Sequence, residues 1–210
     1  MTQFEVLVEG ASDVPAVKEV LERRFNLTEG KHFRIHPHQG KGKLPSNLSA
    51  KPDPKKRQLL HLLPSKLRGY AKALSPESVV LVVVDADDTP GAELLAELEA
   101  MLSKLTTRPA RVMFRLAIEE TESWFIADTA AVKAAYPKAK IAALRSISPD
   151  AIVGAWEQLA KAIGSTGSSG TDKRRWAEKI CPHLDLDNPP SPSLQQLIAG
   201  VAGELAADCA

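Results

Sequence analysis

The chain has 210 residues, of which 44% are apolar, so it can form a core and is not an intrinsically disordered protein. Its formal net charge of +1 points to no particular class of partner. Two cysteines, Cys181 and Cys209, argue against a disulfide framework or a thiolate zinc site. Because the chain shows no signal-peptide pattern and no apolar run of membrane-spanning length, we expect a cytoplasmic protein with no membrane partner.

The first predicted element is a short strand, Phe4–Val8, that runs directly into Glu9. Apolar residues at helical spacing then predict a helix up to about Arg24, and Ser12 or Asp13 is expected to cap its amino terminus. The first unit is therefore a strand, an acidic turn and a helix.

The segment from residue 31 to residue 72 is strongly basic, with eleven lysines and arginines against the single acid Asp53. A short strand is predicted at Phe33–His36, and a helix is predicted from 58 to 74 with a break or kink at Pro64. Between them, glycines and prolines predict a surface loop, which is either a solvated loop with no ligand or a surface that binds nucleic-acid phosphates. For the basic loop 31–57 we predict nucleic-acid binding through Lys41, Lys43, Lys55, Lys56 and Arg57.

The run Val79–Val84 is apolar without alternation, which predicts a strand covered on both faces in a parallel sheet. It ends in Asp85 and Asp87, whose side chains project the same way in extended backbone and can meet one divalent cation. A bland alternative is that this acidic turn only leads into the next helix, predicted from about Gly91 to Leu105.

A further strand, Arg111–Ile118, is followed at once by three glutamates. Extended backbone would pair Glu120 with Glu122, whereas a helix would pair Glu119 with Glu122. From 129 onward the pattern is helical, with helices predicted at 129–136, 149–163, 172–180 and 193–207. We therefore predict an α/β domain at 1–128 and a helical C-terminal extension at 129–210 packed on it.

Three predicted strands thus end in carboxylates. If they are parallel neighbours, their carboxyl ends share one edge of the sheet and the acids converge there. Clustered carboxylates repel one another, and a pair of Mg²⁺ or Mn²⁺ ions would remove that repulsion, activate water and stabilise the leaving oxygen of a phosphodiester. The predicted chemistry is phosphoryl transfer or phosphodiester hydrolysis.

The motifs resemble a known group of proteins. Val8-Glu9-Gly10 and Asp85-Ala86-Asp87, each after a strand, resemble the TOPRIM fold of topoisomerases, primases and OLD-type nucleases. The segment 117–128, Lys173 before a helix and Ser191-Pro192-Ser193 are similar to the DUF4276 family of small bacterial TOPRIM-like proteins. The resemblance implies a TOPRIM-like, Rossmannoid α/β fold with a mainly parallel sheet flanked by helices.

The resemblance also implies roles for individual residues. Glu9 becomes a metal ligand or general acid/base, Asp85, Asp87 and Glu122 become metal ligands, and Glu120 becomes a further catalytic carboxylate. Lys173 is predicted either to clamp a phosphate at the rim or simply to begin a basic helix. Trp124 is predicted to pack in the core beneath the site.

The leading hypothesis is a Mg²⁺- or Mn²⁺-dependent nuclease or related phosphodiester-processing enzyme, with a role in bacterial defence against foreign DNA by analogy with relatives. The chain has no G-x-x-x-x-G-K-[ST] loop, so any ATPase function would come from a separate partner. The alternatives are a non-catalytic nucleic-acid-binding or regulatory subunit on the same scaffold, and hydrolysis of a small nucleotide or phosphorylated metabolite.

Overall fold

The computed structural model describes residues 2–151, 154–167 and 169–207. In this part of the chain, strands and helices alternate up to residue 117, and helices alone follow. The strands are β1 (Phe4–Val8), β2 (Phe33–Pro37), β3 (Val79–Asp85) and β4 (Arg111–Ala117). The helices are α1 (Val14–Glu19, continued by a π-helical turn Val20–Arg24), α2 (Leu59–Ala73), α3 (Gly91–Lys104), α4 (Glu122–Ala127), α5 (Thr129–Ala135), α6 (Ala155–Ile163), α7 (Gly170–Ile180) and α8 (Pro192–Ala206). Short 3₁₀ turns lie at Leu144–Ser146 and Cys181–His183.

The four described strands form one parallel sheet in the order β2-β1-β3-β4. Phe4 lies opposite both Phe33 and Val79, and Val79 lies opposite Arg111. All four strands therefore end at the same edge of the sheet, with β1, β3 and β4 as consecutive neighbours. This confirms the predicted α/β fold with a parallel sheet flanked by helices.

Strand β3 packs against a separate apolar layer on each face. Val79, Leu81 and Val83 contact the cluster that contains α1 and the later helices, while Val80, Val82 and Val84 contact the cluster formed with α2 and α3. The prediction of a strand covered on both faces is confirmed. Helices α5 to α8 share the first of these clusters with the sheet, and the division of the chain at residue 128 stays a prediction.

Helix α2 continues through Pro64, so this proline does not break the helix, and the predicted kink stays a prediction. Pro64 lacks an amide hydrogen and cannot complete the helical ladder at its own position. Burial of Leu60, Leu63 and Leu67 on the face toward the sheet supports the helix on both sides of the proline.

No helix of the described residues is long and apolar enough to cross a membrane. Cys181 is buried with a free thiol, and Cys209 lies outside the described residues.

Trp124 connects α4 to the amino terminus of α8. Its side chain is 1% exposed, which confirms the prediction of core packing. The indole Nε1 donates a hydrogen bond to the Ser193 hydroxyl at 2.8 Å, and the Ser193 amide donates to Asp150 at 2.6 Å. Ser191 caps α8 by accepting from the Leu194 amide. The Ser-Pro-Ser segment thus anchors the last helix beneath the glutamate-rich turn.

Replacing Trp124 with phenylalanine should lower the free energy of unfolding by about 2 kcal/mol, because the buried Ser193 hydroxyl loses its indole donor and part of the aromatic volume is lost. Urea unfolding followed by circular dichroism measures the change. A Trp124→Phe/Ser193→Ala double variant should lose less than the sum of the two single variants, and strict additivity would show that the hydrogen bond contributes nothing.

Candidate active site

Carboxylates gather at the edge where β1, β3 and β4 end. Glu9 follows β1, Asp85 is the last residue of β3, and Glu120 and Glu122 follow β4. The Asp85 amide donates to Glu9 Oε1 at 2.8 Å, which joins the ends of β1 and β3. Asp85 also lies within the electrostatic reach of Glu9, Glu120 and Glu122, so the structure brings together acids that are more than one hundred residues apart in the sequence.

Glu9 is only 9% exposed. Burial raises its pKa to about 8, since the charged form has lost most of its hydration, and the nearby carboxylates of Asp13 and Asp87 raise it further. The Asp85 amide and the Lys41 ammonium act in the opposite direction without cancelling the effect. A pKa raised in this way favours the protonated form of Glu9 in the metal-free protein.

Asp85 is surrounded by other acids. Burial raises its pKa well above the ordinary value, and the next largest contributions come from the charges of Asp13, Glu9 and Glu122. Repulsion among so many carboxylates is the electrostatic condition that a divalent cation relieves.

Asp13 is a site residue that the sequence predicted only as a helix cap. It occupies the N-cap position of α1, but its side chain makes no hydrogen bond to that helix. Instead it is 5% exposed and accepts from the Gly10 amide at 2.8 Å and the Thr121 hydroxyl at 3.2 Å. Its pKa is raised by burial. Asp13 follows Glu9 by four residues and begins the helix beside the end of β1, and this position in the sequence could have predicted that it belongs to the site.

Glu120 and Glu122 share one lysine from α7. The Lys173 ammonium lies 2.8 Å from Glu120 Oε1 and 3.9 Å from Glu122 Oε1, and it also lies over the Trp156 ring at 5.4 Å. Burial lowers the pKa of Lys173, but the glutamate charges outweigh it and leave the pKa raised. Glu122 is 3% exposed, and burial raises its pKa to about 7. The other Glu120 oxygen, Oε2, is buried and has no hydrogen-bond partner among the described residues.

Glu119 points away from this group. Its backbone has φ 63°, a left-handed conformation that is rare outside glycine, and its carboxylate accepts from the amides of Gly154 and Ala155 at the start of α6. Helix α6 therefore begins at Ala155 rather than near residue 149, where the sequence pattern placed it. Of the three glutamates after β4, only Glu120 and Glu122 face the site.

Asp87 lies at the rim and is paired with a lysine from the basic segment. Its side chain is 53% exposed, and Oδ2 lies 3.0 Å from the Lys41 ammonium. The Asp87 backbone has φ 47°, and its amide donates to the Glu119 carbonyl at 2.9 Å. Asp85 and Asp87 therefore do not project side by side from extended backbone as predicted, because the chain turns between them.

The basic loop lies between β2 and α2, as predicted. Strand β2 occupies Phe33–Pro37, so the irregular part spans residues 38–58. Leu44 and Leu48 pack against the cluster under α2 and α3, which fixes the loop on that face of the sheet. In the described part of the chain, the side chains of four of its predicted phosphate contacts are exposed and form no ion pair: Lys43, Lys55, Lys56 and Arg57.

The donor atoms of the site suit a hard divalent cation. All of its acidic groups offer carboxylate oxygens, and Glu120 Oε2 is a buried oxygen that lacks a partner. Over the described ranges, no group of three His, Cys, Asp or Glu side chains is positioned to hold a metal ion. The residues fit such an ion in chemistry, and side-chain movement would be needed to enclose it.

The chain is similar to a protein family and to a solved structure over the residues of the site. Residues 8–202 match a family model described as "Domain of unknown function (DUF4276)". No curated protein matches. Among solved structures, the chain is similar to the C-terminal region of the OLD protein of Xanthomonas campestris pv. campestris, with 14% identity, a TM-score of 0.47, and coverage of 99% of this chain and 97% of that one. The family match spans every residue of the site, from Glu9 to Lys173.

Proposed function

The chain belongs to the DUF4276 family, as its motifs predicted, and we propose that it is a divalent-metal-dependent phosphodiester hydrolase that acts on nucleic acid. The observation that carries this proposal is the meeting of carboxylates from three neighbouring strand ends with one partly buried lysine. An acidic cluster of this kind is costly to bury without a function, and perturbed carboxylates in such a cluster are typical of catalytic metal centres.

Mg²⁺ or Mn²⁺ would be held by Glu9, Asp85, Asp87 and Glu122, with Asp13 as a further oxygen donor. When bound, the metal supplies Lewis acidity and activates water for attack on phosphorus. Glu9 keeps one carboxylate oxygen fixed by the Asp85 amide, so its orientation is set before substrate arrives.

Lys173 and Glu120 form the side of the site that faces α7. The Lys173 ammonium is oriented by Glu120 and by the Trp156 ring, and it can pair with the negative charge that develops on phosphate oxygens. Glu120 holds this lysine through one oxygen, and its second oxygen is available to accept a proton or a metal ion.

The exposed lysines and arginine of the basic loop would bind the nucleic-acid substrate. Such side chains bind the nucleic-acid backbone through counterion release and do not read its sequence. Lys41 places the start of this loop directly at the carboxylates. A strand of nucleic acid that follows the loop is thereby led to the site.

The test is a cleavage assay with labelled single- and double-stranded DNA and RNA in Mg²⁺, Mn²⁺ or EDTA. Wild-type protein should cleave at least one substrate only when the divalent cation is present. An Asp85→Asn/Asp87→Asn variant, folded as judged by circular dichroism, should show no cleavage above background. Cleavage that persists in this variant would place the activity elsewhere, and release of phosphate from small nucleotides alone would redirect the proposal to such substrates.

A second candidate function is a non-catalytic nucleic-acid-binding or regulatory subunit. The observation that favours it is that Lys41 and Lys173 already neutralise Asp87 and Glu120, so the acids have structural partners. This candidate expects salt-sensitive binding that is unaffected by the loss of Asp85 and Asp87 and is lost when the loop lysines are neutralised. A separate ATPase partner and a role in defence stay predictions from the resemblance.

A further inference from the structure

Lys41 connects the basic loop to the carboxylate site. Its side chain is 15% exposed, and its ammonium donates to the Ala86 carbonyl at 3.1 Å and to Asp87 Oδ2 at 3.0 Å. The other loop cations, Lys43 among them, extend into solvent. Lys41 is therefore the member of the loop that binds the protein's own site instead of being open to a ligand.

The backbone around Lys41 is held from both sides. The Gly40 amide donates to the Glu9 carbonyl at 2.9 Å, and the Leu60 amide donates to the Lys41 carbonyl at 2.8 Å. Gly40 has φ 92° and Gly42 has φ 68°, so the chain turns sharply on each side of the lysine. The Cα of Lys41 is therefore fixed beside the strand ends.

The Lys41 ammonium and a divalent metal ion would compete for the Asp87 carboxylate. A carboxylate whose oxygen is 3.0 Å from an ammonium has part of its charge neutralised, and a divalent cation that binds the same group must compete with that ammonium. Asp87 is half exposed, so water and ions reach it directly. Displacement of the ammonium requires only rotation of the lysine side chain.

We propose that Lys41 couples metal binding at Asp87 to nucleic-acid binding by the basic loop. The lysine occupies Asp87 while no divalent cation is bound; when the cation takes Asp87, the ammonium is released and contacts a backbone phosphate of the substrate. This inference rests on the proposed metal site and goes beyond it, because it assigns one residue to both events. The loop is then complete as a nucleic-acid surface only when the metal site is filled.

The coupling must be reciprocal, since a cation that frees Lys41 for phosphate raises nucleic-acid affinity by the same factor by which nucleic acid raises cation affinity. An ion pair at this distance near water is worth about fivefold in an equilibrium constant. We therefore expect Ca²⁺, used as a cation that does not support cleavage, to tighten binding of single-stranded DNA about fivefold through this lysine.

The experiment compares wild-type protein with Lys41→Met, which keeps a long apolar side chain and removes the charge. Isothermal titration with Mn²⁺ should show about fivefold tighter metal binding in the variant, because the competing ammonium is absent. Fluorescence anisotropy with labelled single-stranded DNA should show that the variant matches wild type in EDTA and is about fivefold weaker in Ca²⁺. Unchanged or weaker Mn²⁺ binding, or an equal loss of DNA affinity in both buffers, would overturn the proposal.

Two further variants separate the coupling from a purely structural role. Lys43→Met, two residues away and exposed, should weaken DNA binding equally in EDTA and Ca²⁺ and leave Mn²⁺ affinity unchanged. Asp87→Asn should free Lys41 without metal and raise DNA affinity in EDTA to the level that wild type reaches in Ca²⁺. No rise in that variant would contradict the release of Lys41. Normal coupling in a protein that cleaves nothing would overturn the proposed hydrolase and leave this inference standing.

Discussion

Replacing Glu122 with glutamine is expected to reduce metal-dependent cleavage at least about 100-fold, whereas Glu119→Gln should reduce it less than about threefold. Loss of a group that hydrogen-bonds to a metal ligand usually lowers metal affinity or activity about 10- to 100-fold. Loss of a metal-binding carboxylate itself is expected to lower them at least as much. Glu122 is buried beside Lys173 and Asp85. Glu119 is turned toward the amides of Gly154 and Ala155.

Glu119→Gln is the matched control for Glu122→Gln, because the two glutamates are only three residues apart and undergo the same chemical change. Initial rates with saturating Mn²⁺ and a short labelled DNA give the comparison. Glu119→Gln should instead lower the melting temperature, since it removes a negative charge from the start of α6. Similar loss of cleavage in both variants would mean that the turn as a whole, and not the direction of Glu122, matters.

The metal-free protein should lose stability as the pH rises from about 5 to about 9, and Glu9→Gln should remove part of that loss. The pKa of Glu9 is raised from 4.5 to about 8 in the folded protein, so the folded state holds this proton more tightly than the unfolded state. The resulting stabilisation is complete below the unfolded pKa and is lost as the pH rises through the folded one. Each pKa unit corresponds to about 1.4 kcal/mol.

Urea unfolding in EDTA at several pH values measures this effect. Between pH 5 and pH 9 the wild-type protein should lose at least about 1.4 kcal/mol more than Glu9→Gln, the value of one pKa unit. Glu122, with its pKa raised to about 7, and Asp85 and Asp13, whose pKa values burial also raises, account for a residual slope in the variant. Parallel curves for the two proteins would show that Glu9 is ionised throughout the range. Addition of Mn²⁺ at pH 8 should stabilise wild type more than the variant, because the cation replaces the lost protons.

The local sequence patterns were enough to predict the parallel sheet and the acidic residues at one of its edges. The unbroken run Val79–Val84 requires apolar neighbours on both faces, and a parallel sheet covered by helices on both faces provides them. Strands that are parallel must end at the same edge, so the acids after β1, β3 and β4 had to approach one another. Glu9, Asp85 and the glutamates after β4 were therefore predictable as one group.

The sequence by itself determined the parallel sheet and the acidic edge, because both follow from which residues are apolar and from where the strands stop. The tertiary structure alone decided which carboxylates face inward and which cations meet them. Glu119 turns away because two amides of α6 attract it, and Asp13 turns inward because Gly10 and Thr121 hold it there. Lys41 and Lys173 come from segments remote in the chain. Side-chain direction at a turn depends on such distant partners, which no local pattern contains.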